Sequence, residues 1–345
     1  MRAMAVTAYG DPLQRIDVEE PQLTYGSDLL EVLTCGVCFS DVKTARGKMP
    51  YSSELTLPHI GGHEVCARVV ATDPPGALKE GTIVVCYHVW PCRVCSRCRA
   101  GQENLCLSPR GWMGFTHPGG FCERMVVPLD RLSEVPVNVD PVHAASMTCA
   151  LGTGYRAVIG QGQVLPGTRV AVIGLGGVGI HALQVARAAG ARAVGLDVSD
   201  ASLDAARALG LEVWDSRDPE VTRRAKDATD GEGVDVVIDC VGNEGTIAQS
   251  EQMVRPGGRI VAVGYSLTSD FRVPSTRFVL EEVELVGSRY VLMDELQRAI
   301  RLVADGKVQM VIDKVSPLED VNQVMEDLEA GTVVGRSVLD VAGVS

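Results

Sequence analysis

The stretch Arg169–Asp197 reads RVAVIGLGGVGIHALQVARAAGARAVGLD. Val170–Ile173 is a short apolar run of the kind a buried strand needs, and the turn Gly174-Leu175-Gly176-Gly177-Val178-Gly179 follows it directly. Ile180, Leu183, Val185 and Ala186, with Ala188 and Ala189, then suit a helix packed on a sheet, and Arg192–Leu196 is a second apolar strand closed by Asp197. A G-x-G-x-x-G turn between strand and helix, with an acid ending the next strand, predicts a dinucleotide-binding βαβ unit. Gly174 permits the tight turn, Gly176 leaves room for a pyrophosphate, and Gly179 lets the helix lie close to the strand. The helix N-terminus, with Gly177 and Val178, offers backbone N–H groups to the phosphates. Asp197 suits both ribose hydroxyls of an adenosine and would repel a 2′-phosphate. No Lys or Arg lies in 198–201, so NAD is expected over NADP. A glycine-rich turn in an ordinary βαβ unit is the alternative; strand, helix and acid together weigh against it.

Downstream the pattern repeats. Ala201–Leu209 reads as a helix, Val234–Cys240 as a strand ending at Val241-Gly242, Arg259–Val263 as a strand ending at Gly264, and Glu284–Gly287 as a short strand. The alternation predicts an α/β fold with a doubly wound parallel sheet. Ligands of such sheets bind at the carboxyl ends of the strands, where Gly174, Asp197, Val241 and Gly264 all fall. Helices are expected at Met293–Asp305 and Leu318–Leu328. The first 150 residues read instead as short strands and loops, among them Met4–Ala8, Leu29–Leu33, Val65–Val70, Thr82–Cys86 and Cys122–Val127, before a helical segment Pro141–Ala150.

At 345 residues about two domains are expected. The net charge of −12 argues against nucleic acid or an anionic membrane as partner. No apolar run approaches the roughly 20 residues of a membrane span. The N-terminus meets Asp11 before a signal-peptide core could form, so a cytoplasmic location is expected. In a reducing compartment, eleven cysteines point to metal more than to disulfides. Cys92-x2-Cys95-x2-Cys98-x7-Cys106 places four thiols where they can wrap one tetrahedral Zn²⁺ at about 2.3 Å each. Two disulfides or an iron–sulfur site are the alternatives on spacing alone. With all four thiols consumed, this site should be structural.

Several motifs then come in one order: Gly36-Val37-Cys38-x-Ser40-Asp41, Gly62-His63-Glu64, the four-cysteine loop ending Glu103-Asn104-Leu105-Cys106, Gly119-Gly120-Phe121, the glycine turn, and Gly335-Arg336-Ser337-Val338-Leu339. The chain resembles the zinc-containing medium-chain alcohol dehydrogenases over essentially its whole length. The resemblance implies a GroES-like, mostly-β catalytic domain from 1–150 and 291–345, carrying the structural-zinc loop 91–107, around a Rossmann NAD-binding domain at 151–290. It implies two zincs per subunit, a homodimer or homotetramer, and a small-molecule alcohol, aldehyde or ketone as substrate. It assigns Cys38, His63 and Cys149 to a catalytic zinc with an open fourth position, and Glu64 to the metal's neighbourhood. Asp41 would orient His63, and Ser40 would take the alcohol proton. Cys35, Cys66, Cys86, Cys122 and Cys240 read as core.

Three positions depart from the family pattern. Lys43 stands where many members end a proton relay with histidine, so Lys43 or water would finish the relay. Phe39 stands where a basic residue often meets the pyrophosphate, which leaves the helix N-terminus and Arg336 for that contact. Phe39 could instead line a pocket for a bulky or aromatic alcohol. Ser202 stands where a lysine often follows the ribose-binding acid. The expected reaction is reversible hydride transfer between a primary or secondary alcohol and NAD. A polyol, alicyclic or thioester-borne alcohol is the alternative substrate, and an inactive NAD-binding protein with structural zinc alone is the alternative of another class.

Overall fold

The computed structural model describes residues 1–74, 78–268 and 270–344. The chain packs as two compact units, one formed by Met1–Cys149, Leu292–Ala304 and Ile312–Ser345, the other by Ala150–Val291 and Asp305–Val311.

The first unit is built on antiparallel sheet. Its longest strand, Ser27–Val37, pairs with Glu64–Asp73 on one side and with both Arg124–Pro128 and Arg336–Asp340. The path continues outward through Ile83–Cys86 to Leu132–Glu134, and through Arg336–Asp340 to Ile312–Pro317. A smaller sheet joins Gln14–Asp17, Arg2–Val6 and His59–Ile60. Leu30, Val32, Val65, Ala67, Val84, Phe121, Val127 and Leu339 form its core, all fully buried. The strands are longer than the alternation suggested: Leu29–Leu33 lies inside Ser27–Val37, because Cys35 and Gly36 still pair with neighbours on both sides and Val37 with Ser337.

The second unit is a six-stranded, all-parallel sheet. Its order is Glu212–Asp215, Arg192–Asp197, Arg169–Ile173, Val234–Asp239, Val254–Ala262, Glu284–Gly287. The first three strands in the chain run outward from the centre and the last three run the other way, which is the doubly wound topology. Central strands carry unbroken apolar runs, VAVI at 170–173 and VVI at 236–238, because both faces of the sheet are covered. Residues 255–258 bulge: Val254 pairs with Val234, and the next pair is Arg259 with Val236. The Pro256-Gly257-Gly258 turn therefore lies within Val254–Ala262 instead of preceding a strand at Arg259.

Segment Asp305–Val311 differs from the domain division expected from the sequence, since it packs with the second unit. Gln184 explains why: its amide donates to the Gln309 carbonyl at 2.9 Å and accepts from the Gln309 N–H at 2.8 Å. Val308 and Met310 are buried beside it. No described helix is long and apolar enough to cross a membrane.

Candidate metal centres and dinucleotide turn

Strand register assembles the first centre. Gly36 lies opposite Glu64 in one pairing and opposite Val338 in the other. Cys38 is therefore just past the end of one strand, His63 just before the start of the second, and Arg336 at the start of the third. Cys149 joins them from the π-type turn Met147–Leu151 after helix Pro141–Ala145. The donor atoms of Cys38, His63, Glu64 and Cys149 lie within 4.8 Å of one another, and all four residues are buried.

Asp41 holds the front of this cluster. It sits in the first turn of helix Phe39–Ala45. Its Oδ2 accepts the Cys38 N–H at 2.8 Å, and its Oδ1 accepts the Gly62 N–H at 3.3 Å and faces His63 Nδ1 at 3.0 Å. With Nδ1–H donating to Asp41, His63 keeps Nε2 as a lone-pair donor. Ser40, half-buried, and Lys43 lie three apart on the same helix, hence on one face. The Lys43 ammonium stands 5.8 Å from the centre of the Phe39 ring, and burial pulls its pKa down. Phe39 itself is exposed.

Arg336 and Glu64 were not legible as partners, being 272 residues apart. The Arg336 guanidinium bonds the Glu64 carboxylate at 2.9–3.2 Å and reaches Cys38 Sγ at 3.5 Å and Cys149 Sγ at 4.0 Å. Its bonds thus go to the candidate metal cluster, at a position where the sequence suggests a pyrophosphate contact. Gly36 makes room for this pair: a Cβ there would stand 2.4 Å from Glu64 Oε2 and 2.7 Å from Ser146 Oγ. Phe115 lies against the His63 ring, centroids 4.5 Å apart, and His88 meets it edge-on at 5.5 Å. Nothing in the loop-like sequence 107–120 signalled this contact. The Cys38 thiol is held well below its usual pKa by the hydrogen bond from Cys149, against burial, with help from Arg336 and His63. Two thiols, an imidazole lone pair and the Glu64 carboxylate are a donor set that fits a divalent cation.

In the four-cysteine loop, Cys95 Sγ lies 3.5 Å from Cys98 Sγ and 4.0 Å from Cys106 Sγ, and Cys92 Sγ lies 4.0 Å from Cys98 Sγ. Tetrahedral Zn–S bonds of about 2.3 Å put sulfurs about 3.8 Å apart. The separations are far longer than an S–S bond, so they fit one ion and not two disulfides. Backbone N–H groups of Leu107 and Cys98 pull the Cys95 thiol down to about 6, which favours the thiolate that metal requires. Cys35, Cys66, Cys86 and Cys122 are buried as expected, but Cys240 is only half-buried, since it lies past the end of its strand.

In the second unit, the turn after Arg169–Ile173 has Gly174 at φ +84°, and helix Gly179–Ala188 follows. A Cβ on Gly179 would stand 1.7 Å from the Gly174 carbonyl oxygen, so only glycine fits there. Around Gly176 no atom lies within 4 Å of a Cβ position, which leaves open the space a pyrophosphate needs. Val241 packs over Gly174, and Gly264 lies against Val241 and Gly242, so the four strand-end positions form one rim. Asp197 accepts the N–H groups of Leu175 and Ser199 at 2.5 and 2.8 Å, and its oxygens retain lone pairs for ribose hydroxyls. The sequence reading missed Arg217, which the end of the neighbouring strand brings to Asp200 at 2.6 Å. Asp215 and Asp200 together neutralise it.

Residues 26–137 match the sequence profile of the alcohol dehydrogenase GroES-like domain, and residues 177–305 that of the zinc-binding dehydrogenase domain. An alcohol dehydrogenase of Geobacillus stearothermophilus is 34% identical over 341 residues, covering 98% of each chain. A crystal structure of an NAD-dependent alcohol dehydrogenase superposes with a TM-score of 0.92 at 28% identity, covering 99% of this chain and 100% of the other. The alcohol dehydrogenase of Aeropyrum pernix superposes with a TM-score of 0.90 at 30% identity, with the same coverage.

Proposed function

Because the chain belongs to the zinc-containing medium-chain alcohol dehydrogenase family and is an oxidoreductase acting on alcohols, we propose that it interconverts a primary or secondary alcohol and its aldehyde or ketone, with NAD as hydride acceptor. Cys38, His63 and Cys149 are the proposed ligands of a catalytic zinc, and Cys92, Cys95, Cys98 and Cys106 those of a structural one. The observation that carries the reading is the convergence of three strand ends and one helical turn on the buried set Cys38, His63, Glu64 and Cys149.

Zinc held by Cys38, His63 and Cys149 would supply Lewis acidity toward an alcohol oxygen, and NAD at the Gly174–Gly179 turn would supply the hydride-accepting chemistry. The protein's own groups do the rest. Ser40 takes the hydroxyl proton at Oγ as its own proton passes one helical turn on, to water beside Lys43 or to Lys43 in its neutral amine form. Asp41 fixes the His63 ring so that Nε2 faces the cluster. Arg336 compensates the Glu64 carboxylate and prevents it from standing as an uncompensated buried charge. Asp197 selects the unphosphorylated ribose, and the Gly174–Gly179 turn holds the pyrophosphate. The exposed Phe39, with Lys43 near its ring, supports an aromatic or bulky alcohol. A homodimer or homotetramer is the proposed assembly, on the family resemblance.

A panel of primary, secondary, aromatic and polyol alcohols, each assayed with NAD and with NADP, tests this. Alcohol-dependent NADH formation, strongest with aromatic alcohols and weaker with NADP, is expected. No reduction with any alcohol would overturn the reading, and a polyol preference would correct its substrate class.

A further inference from the structure

Helix Gly179–Ala188 carries two buried polar side chains three residues apart, His181 and Gln184. Gln184 clamps the backbone of Gln309, as described. His181 does something different, because its two nitrogens look opposite ways. Nε2 stands 3.1 Å from the Val311 N–H, which only donates, so Nε2 is the acceptor. Nδ1 therefore carries the proton and donates to the Gly177 carbonyl at 2.6 Å.

Both ends of this bridge matter. The Gly177 C=O and the Val178 N–H belong to one planar peptide and point in opposite directions. Holding the carbonyl toward the helix body aims the Val178 N–H outward at the helix N-terminus, where a phosphate binds. At the other end, Val311 is the last residue of the segment that packs with the second unit, and Ile312, bonded to it, pairs with Arg336 in the first. Arg336 in turn holds Glu64 and reaches the Cys38 and Cys149 sulfurs.

We propose that His181 is a positioning residue that couples occupancy of the phosphate-binding turn, through Val311 and the peptide bond to Ile312, to the strand that aligns Arg336 in the metal cluster. The proposal rests on the NAD reading above. It requires nothing beyond one singly protonated imidazole with both nitrogens engaged, a strut that moves its two partners together. Ile180, at the preceding position, is an apolar core residue and has no such role.

Hydrogen exchange with and without NAD tests it, on wild type, His181→Leu and His181→Gln. In the wild type NAD should slow exchange in 174–179 and also in 305–317. In His181→Leu saturating NAD should still protect 174–179, while 305–317 no longer responds. NAD affinity should fall roughly tenfold, from the lost bond at Val178's peptide, and kcat should fall further than affinity does. His181→Gln, which keeps a donor and an acceptor, should restore the response. If His181→Leu does not fold, His181→Asn, too short to reach Val311, replaces it with the same expectation. An equal response of 305–317 in the Leu or Asn variant overturns the link. Protection of 174–179 alone in the wild type also overturns the link and leaves the NAD reading standing. No protection anywhere in the wild type removes both.

Discussion

Asp41 shapes the proposed active site without being one of its proposed ligands. Its two oxygens meet the Cys38 N–H, the Gly62 N–H and His63 Nδ1. An amide in its place offers one oxygen and a donor that repels Nδ1–H. Asp41→Asn should therefore lower catalytic-metal affinity or turnover by about 10- to 100-fold, with the four-cysteine site unaffected. Competition with a chromophoric chelator measures both sites in one titration, and equal retention of both metals would contradict the role. Asp197→Gly should narrow the preference for NAD over NADP, read as the ratio of kcat/KM values. An unchanged ratio would shift the selectivity to Asp200, at the start of the following helix, and its partner Arg217, past the end of the next strand.

At the scale of elements, stability rests on packing and on a few ion pairs at strand starts. Asp235 begins beside Arg169 and Arg255. Burial pushes its carboxyl pKa up, but bonds from both arginines outweigh this and hold it at about 2. A pKa below the unfolded value of about 3.9 means that stability is gained above pH 4 and lost as pH falls from 4 toward 2. Asp235→Asn should cost roughly 1 kcal/mol at pH 7, since solvent screens a partly exposed pair, with the deficit shrinking below pH 4 in urea melts; a deficit that does not depend on pH would contradict the ion-pair account. Gly179→Ala should destabilise by more than the roughly 1–3 kcal/mol of ordinary overpacking, because its methyl meets backbone and not a movable side chain. The elements best read from sequence are those with the strongest apolar signal, Arg169–Ile173 and Arg192–Asp197. Glu212–Asp215, Val221–Asp227 and Glu244–Met253 left no such signal, since an edge strand and polar-faced helices bury only part of themselves.

Over the whole molecule, motif order made the fold readable, whereas the pairing of Glu64 with Arg336 and the stacking of Phe115 on His63 were not. Such contacts depend on strand register and on a loop's path, neither of which local composition encodes. The same holds for Asp305–Val311, whose place is set by Gln184 and His181 across more than a hundred residues. The central claim concerns Cys149, the ligand with the weakest local signature, buried in a helical turn that otherwise reads as core. Zinc per chain, measured by elemental mass spectrometry on wild type and Cys149→Ala, tests it most directly. The account predicts about two zincs per chain in the wild type and about one in the variant, together with loss of alcohol-dependent NADH formation. Two zincs retained by an active variant, or a single zinc in an active wild type, would contradict it.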